Sequence, residues 1–183
     1  MGDSIIRGVN GIPDTFVDCR PGKVIKDITK IITAPDYDIK QFDVVLVHVG
    51  TNDLKQSTGP EMLEAFEQLA SAFHGIHSWG WLLLSSILPR PRDEKYTRQK
   101  VHFVNNELFR KYKESEVTVL KTYSPFTKKG WADKQLFKRD GLHPAVPDGV
   151  RVLKSFFHHQ LSHKVLKPRL RDAVQYRHIT VFD

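Results

Sequence analysis

Two apolar runs constrain this chain more than any other feature of its sequence. Residues 42–49 read Phe-Asp-Val-Val-Leu-Val-His-Val, and residues 81–87 read Trp-Leu-Leu-Leu-Ser-Ser-Ile. Runs this rich in aliphatic and β-branched side chains are typical of strands that are buried on both faces of a parallel sheet. We therefore expect Phe42–Val49 and Trp81–Ile87 to be strands of one such sheet.

Segments with helical periodicity alternate with these strands. Their apolar residues recur every three or four positions, which predicts amphipathic helices. The predicted helices are Lys23–Ile32, a segment that Pro60 opens, Tyr96–Tyr112 and Val150–Leu161, and shorter strands are predicted at Phe16–Arg20 and Val117–Leu120. The alternation predicts an α/β fold made of βαβ units, with a parallel sheet between two layers of helices.

Polar motifs follow the strands of this predicted sheet. Gly22 follows the first visible strand, Gly50-Thr51-Asn52-Asp53 follows the second, and Asp140 to His143 follows the last. A further string, Gly2-Asp3-Ser4, stands at the start of the chain. Reactive crevices of open α/β sheets lie outside the carboxyl ends of the strands, so we expect these residues to meet at one edge.

Three of these side chains have the chemistry of a serine hydrolase. Ser4 is a candidate nucleophile, because a serine hydroxyl becomes reactive once a neighbouring base removes its proton. His143 is the candidate base, and Asp140 can accept from its other ring nitrogen and fix the imidazole. Taken singly, Ser4 fits a helix N-cap equally well and Asn52 fits an ordinary turn.

The order of the motifs resembles that of the SGNH (GDSL-type) hydrolases, and the resemblance covers roughly Gly2 to Leu161. It implies a flavodoxin-like three-layer α/β/α fold, with residues 1–163 as the hydrolase domain and residues 164–183 as a basic C-terminal tail. It also implies an oxyanion hole made of the backbone amides of Ser4 and Gly22 and the side chain of Asn52. Asp3 and Asp53 are expected to brace their turns, and neither a cofactor nor a metal is expected.

A narrower resemblance rests on three stretches of sequence. His48 to Asp53, Ser85 to Pro91 and Leu136 to Pro144 look like the esterase domains of animal retrotransposons, including those of fish. Such domains are similar to platelet-activating-factor acetylhydrolase-like enzymes. The resemblance implies a serine esterase that hydrolyses short-chain acyl or acetyl esters, with lipid esters included in that range.

One element of the family pattern is missing from its usual place. The family has a buried strand directly before Gly-Asp-Ser, in the sheet order 2-1-3-4-5, whereas only Met1 precedes that string here. An N-terminal truncation is therefore one expectation, and it makes activity doubtful. Another is that Ile179 to Phe182, a β-branched and aromatic stretch, fills the vacant central position as in a circular permutant. The alternative is a basic tail outside the sheet.

Composition limits the remaining possibilities. The chain has 183 residues, a single cysteine and a net charge of +7, which predicts one globular domain without internal disulfides. No apolar run approaches the ~20 residues of a membrane span, and no signal peptide is visible, so the expected location is cytoplasmic. The charge is compatible with weak, non-specific contact with RNA or anionic lipid. The alternative to an esterase is therefore an inactive relic or an RNA-binding module.

Overall fold

A parallel sheet forms the centre of the computed structural model, which describes residues 4–165 and 179–182. Its five strands are β1 (Thr15–Asp18), β2 (Val44–Val47), β3 (Trp81–Ser85), β4 (Thr118–Leu120) and β7 (Ile179–Phe182), in the spatial order β1-β7-β2-β3-β4. The helices are α1 (Ile25–Ile32), α2 (Gly59–Ile76), α3 (Glu94–Lys111) and α4 (Asp148–His159). The α/β fold predicted from the alternating pattern is confirmed.

The C-terminal strand β7 lies between β1 and β2 and is parallel to both. Val181 is in register with Val17 of β1 and with Leu46 of β2. This is the central position that the family resemblance gives to a strand before Gly-Asp-Ser. The prediction that Ile179–Phe182 fills it is confirmed, and the alternative of a tail outside the sheet is wrong for these four residues. The domain boundary at residue 163 stays a prediction.

Side chains that alternate along β2 belong to the two separate halves of the apolar core. Val45 and Val47 pack in a cluster with residues of α1, α2 and α3. Val44 and Leu46 pack in a second cluster, which contains Leu153 and other residues of α4 and of the N-terminal segment. Successive strand residues point to opposite faces, so helices cover the sheet on both sides in the three-layer arrangement that the resemblance implies.

The predicted elements exist, but several of their ends differ. Strands β1, β2 and β3 all stop earlier than predicted, and α3 and α4 each begin two residues earlier. Pro60 lies in the first turn of α2, where Thr58 and Glu61 form a reciprocal capping box. Among the described residues, no helix is both long enough and apolar enough to cross a lipid bilayer.

The segment from Thr127 to Lys134 holds one small element that was not predicted from the sequence. It contains an antiparallel hairpin of β5 (Thr127–Lys128) and β6 (Trp131–Ala132). Lys129 and Gly130 connect the two strands with positive φ angles of 52° and 80°, as in the primed turns that favour hairpins. Glu94 of α3 fixes the hairpin by accepting a 2.9 Å hydrogen bond from the amide of Ala132.

Candidate active site

Ser4 begins a short 3-10 helix, Ser4–Ile6, whose apolar residues anchor it to the core. Ile5 and Ile6 are buried in the apolar cluster that also contains residues of α4. The serine itself is half-buried, and its Oγ contacts Nε2 of His143 directly. Two residues that lie 139 positions apart in the sequence are therefore neighbours. Asp3 lies outside the described residues.

The loop from Asp140 to His143 is organised around the Asp140 carboxylate. One carboxylate oxygen accepts the backbone amides of Leu142 and His143 at 2.9 and 3.0 Å, and the other bonds Nδ1 of the His143 ring at 2.6 Å. Partial burial acts to raise the pKa of Asp140, but these hydrogen bonds outweigh it and lower the pKa to about 2. The carboxylate is therefore ionised near neutral pH and holds the ring with Nε2 towards Ser4.

The Asn52 side chain lies beside the turn that contains Gly22. Its Nδ2 donates a 2.9 Å hydrogen bond to the carbonyl of Lys23, the residue after Gly22. Gly22 has a φ of 82°, and among the described residues, its two chain neighbours aside, no heavy atom lies within 4 Å of the position a Cβ would occupy. An amide nitrogen carries two hydrogens, so the second hydrogen of Asn52 can serve another acceptor. The structure thus brings two of the three expected oxyanion donors to one turn.

Asp53 connects the turn that contains Asn52 to the start of α1. Its buried carboxylate accepts the backbone amide of Ile25, the first residue of α1, at 3.2 and 3.3 Å from its two oxygens. Burial raises the pKa of Asp53 to about 6, although the hydrogen bond from Ile25 acts in the opposite direction. Asp53 was expected to brace its own turn, but these hydrogen bonds join it to the start of α1, 28 residues away.

Two basic residues near the site were not identified from the sequence. Arg90 is buried and donates to the carbonyl of Thr51, and Lys100 of α3 donates to the carbonyls of Leu54 and Ser57. Arginine and lysine side chains are mostly exposed, so the residue type alone favours a surface position for both. The only sequence signal for Arg90 was its place in the Ser85–Pro91 stretch, which was noticed for its resemblance and not for its burial.

The described side-chain hydrogen bond of Ser4 is with His143, whereas His48 bonds elsewhere. His48 is buried in the core, where its Nδ1 bonds the Ser85 hydroxyl at 2.6 Å and burial lowers its pKa to about 4. His48 is therefore a hydrogen-bonded core histidine. His159 is exposed on α4. Within residues 4–165 and 179–182, no group of three or more His, Cys, Asp or Glu side chains is arranged to hold a metal ion.

A basic groove of about 530 Å³ adjoins Asp140. Four of the side chains that line it are cationic, and within the described part of the chain none of the four forms an ion pair with a carboxylate. These side chains are Arg92, Lys134, Lys138 and Arg139. The positive charge of the chain is therefore partly concentrated beside the candidate active site.

The chain resembles several solved structures, although no family model and no curated protein matches it. A member of the lipolytic G-D-S-L family from Veillonella parvula shares 17% identity at a TM-score of 0.67, over 90% of this chain and 96% of that one. A carbohydrate esterase family 3 protein from Talaromyces cellulolyticus shares 17% identity at a TM-score of 0.63, over 78% and 68% of the two chains.

A third similar structure bears on the narrower resemblance. The esterase domain of the ORF1 protein from the zebrafish ZfL2-1 retrotransposon shares 27% identity at a TM-score of 0.50, over 87% of this chain and 95% of that one. The catalytic roles of Ser4, Asp140 and His143, and the oxyanion roles of Ser4, Gly22 and Asn52, stay predictions. The chain has the fold of the SGNH (GDSL-type) hydrolases, and its predicted likeness to a retrotransposon esterase domain is confirmed.

Proposed function

We propose that this protein is a serine esterase that hydrolyses short-chain acyl or acetyl esters through a covalent intermediate on Ser4. The observation that carries the proposal is the hydrogen-bonded series Ser4, His143 and Asp140. A relic or a pure binding module has no need of a hydroxyl, an imidazole and an ionised carboxylate in this order. The similarity to solved esterases and lipolytic proteins supports the same reaction class.

The reaction begins with proton transfer from Ser4 to His143. With a hydrogen on Nδ1 donated to Asp140, Nε2 is free to accept the proton of the Ser4 hydroxyl. The serine oxygen then bonds to the ester carbonyl carbon, and the carbonyl electron pair moves onto oxygen to give a tetrahedral intermediate. When the intermediate collapses, the alcohol leaves with the proton held by His143. Water, deprotonated by the same nitrogen, then releases the acid from Ser4.

The negative oxygen of that intermediate requires fixed hydrogen-bond donors. We assign these to the backbone amides of Ser4 and Gly22 and to Nδ2 of Asn52. The hydrogen bond from Asn52 to the carbonyl of Lys23 supports the assignment, since it holds the side chain beside the Gly22 turn before a substrate arrives. Donors that are already in place stabilise a developing charge without a reorganisation cost during the reaction.

Hydrolysis of p-nitrophenyl acetate, together with labelling by a fluorophosphonate, tests the proposal. We expect wild-type protein to turn over the ester and to be labelled once, and Ser4→Ala to lose both properties. Ser155→Ala is the matched control, because Ser155 is exposed on α4 and belongs to none of the motifs. Labelling that persists in Ser4→Ala would show that another residue is the nucleophile.

Weak binding of RNA or of an anionic lipid surface is a second candidate function. The basic groove beside Asp140 supports it, because four cationic side chains line it without carboxylate partners among the described residues. Binding of this kind depends on phosphate contacts and weakens steeply with salt. Sub-micromolar, sequence-selective RNA binding at physiological salt by a protein without esterase activity would favour a binding module over the enzyme.

A further inference from the structure

Arg90 is the most deeply buried cationic side chain near the candidate active site. Only 2% of its side chain is exposed. One terminal nitrogen donates to the carbonyl of Thr51 at 2.7 Å, and the other donates to the carboxylate of Asp93 at 2.6 Å. Its Nε is buried without a hydrogen-bond partner among the described residues. Burial of a guanidinium is costly unless its contacts compensate, so these two hydrogen bonds are the reason that the position is tolerable.

The Thr51 carbonyl belongs to the peptide group that leads into Asn52. Thr51 is itself buried, four residues after the end of β2. A peptide group is planar, so the hydrogen bond from Arg90 to the Thr51 oxygen also fixes the orientation of the Asn52 backbone nitrogen in the same group. The other end of Asn52 is fixed by the bond from its side chain to Lys23. Arg90 and Lys23 therefore hold the backbone and the side chain of the same residue.

The segment that carries Arg90 also contacts the opposite side of the site. The backbone amide of Arg92 donates to the carbonyl of Gly141 at 3.0 Å. Gly141 has a φ of 63°, and a Cβ atom there would lie only 2.7 Å from the Arg92 nitrogen. This close approach ties the segment to the loop of Asp140 and His143. Residues 90–92 thus connect the Asn52 turn to the loop that holds the candidate base.

We propose that Arg90 is a positioning residue, which holds the Asn52 amide in place as an oxyanion donor by way of the Thr51 carbonyl. This inference rests on the proposed esterase function. Without the guanidinium, the buried Thr51 oxygen would lack its charged donor, and the turn would have to rotate to find another partner. A lysine cannot replace the arginine, because a single ammonium group does not present the planar fork that reaches both Thr51 and Asp93.

A double-mutant cycle between Arg90→Lys and Asn52→Ala tests this role. We expect Arg90→Lys to lower kcat by about 10- to 30-fold while KM changes less than about threefold, since a misplaced oxyanion donor affects the transition state most. In the Asn52→Ala background, Arg90→Lys should lower kcat by less than about twofold, because the donor that the substitution misplaces is already absent. Arg110→Lys, on the exposed face of α3, is the matched control.

The outcomes separate this proposal from the esterase proposal. Equal losses in both backgrounds, or an effect on KM alone, would overturn the positioning role. If Arg90→Lys fails to fold, Asp93→Asn is used instead, because it weakens the second hydrogen bond of the Arg90 guanidinium. The loss of kcat in Asp93→Asn should likewise be smaller in the Asn52→Ala background than in the wild type.

NMR tests the positioning role without requiring esterase activity, so the test also works if the wild-type protein is inactive. The side-chain amide resonances of Asn52, assigned by their loss in Asn52→Ala, should move in Arg90→Lys and stay in place in Arg110→Lys. If the wild type has no esterase activity but these resonances move as expected, the function fails and the positioning stands. Unmoved resonances in Arg90→Lys would overturn the positioning itself.

Discussion

The two sides of the candidate active site are built in different ways. Thr51 and Asp53 flank Asn52 with exposed fractions of only 2% and 4%, and their partners come from α1 and from the segment after β3. On the other side, the side chains of Asp140 and His143 are 42% and 25% exposed. Their hydrogen bonds lie mainly within their own four-residue loop. The oxyanion side is thus held by the core, whereas the acid–base side is held locally.

The difference follows from what each side must do in the proposed reaction. A donor to the oxyanion must be fixed before charge develops, and distant contacts in a packed core supply that rigidity. A general base must exchange protons with a leaving group and with water, so access to solvent is useful. The pKa values of the two aspartates reflect the same contrast, with Asp53 raised to about 6 by burial and Asp140 lowered to about 2 by its hydrogen bonds.

The largest expected effect comes from removing β7, on which the oxyanion side depends. Gly22 follows β1 and Asn52 follows β2, and these two strands are joined only through β7 in the described sheet. Deletion of Ile179–Asp183 leaves two rows of unpaired backbone groups, which cost about 1–3 kcal/mol each where they stay buried. We expect the melting temperature to fall by about 10 °C or more and esterase activity to be lost with it.

Replacing Ile179–Phe182 with Gly-Ser-Gly-Ser is the length-matched version of this experiment and should have a similar effect. Circular dichroism during heating provides the measurement. An unchanged melting temperature in both variants would show that the strand does not support the sheet, and that the Gly22 and Asn52 turns are held together by other contacts.

The sequence predicted these two sides unequally, for physical reasons. The Asp140 and His143 contact is local, so a three-residue spacing was sufficient to predict it. Arg90 was missed because its burial depends on Thr51, which lies 39 positions away in the sequence. Its three-residue spacing to Asp93 is local but does not by itself predict burial. The hairpin around Lys129 was missed because its strands have only two residues each and its turn lacks the usual Asn-Gly or Asp-Gly pair. Strand β7 was one of the expectations, because Ile179–Phe182 has strong β propensity and the family pattern left a position empty, but the sequence did not decide between it and a tail outside the sheet.

Loss of a single oxyanion donor is the next largest effect, and it isolates the rigid side. We expect Asn52→Ala to lower kcat by on the order of 10²-fold with little change in KM, because its donor acts mainly on the transition state. Asn106→Ala, on the exposed face of α3, should match the wild type. Steady-state kinetics on p-nitrophenyl acetate make the comparison. A kcat for Asn52→Ala equal to that of the control would remove Asn52 from the oxyanion hole.

The smallest expected effect concerns the pH dependence of folding, where the two aspartates act in opposite directions. The folded-state pKa of Asp53 is about 6, above its ordinary value of 3.8. Between these values the folded protein keeps a proton that the unfolded chain has released, so Asp53 makes the fold more stable as pH falls from 7 to 4. Asp140 has a folded-state pKa of about 2, so the stability that it contributes is present above pH 4 and is lost only below it.

Urea unfolding of Asp53→Asn at pH 7 and at pH 4 tests this sign. Asparagine keeps an oxygen that can accept the Ile25 amide but cannot titrate, so the variant should lose the stability gained on acidification. We expect the free energy of unfolding of the wild type, minus that of Asp53→Asn, to be larger at pH 4 than at pH 7 by about 1–3 kcal/mol. The same difference for Asp140→Asn should not rise over this interval, since that group remains ionised in the folded protein. A constant difference for Asp53→Asn would mean that its carboxyl is better solvated than its burial indicates, and the contrast between a core-held and a locally held side would then rest on hydrogen bonding alone.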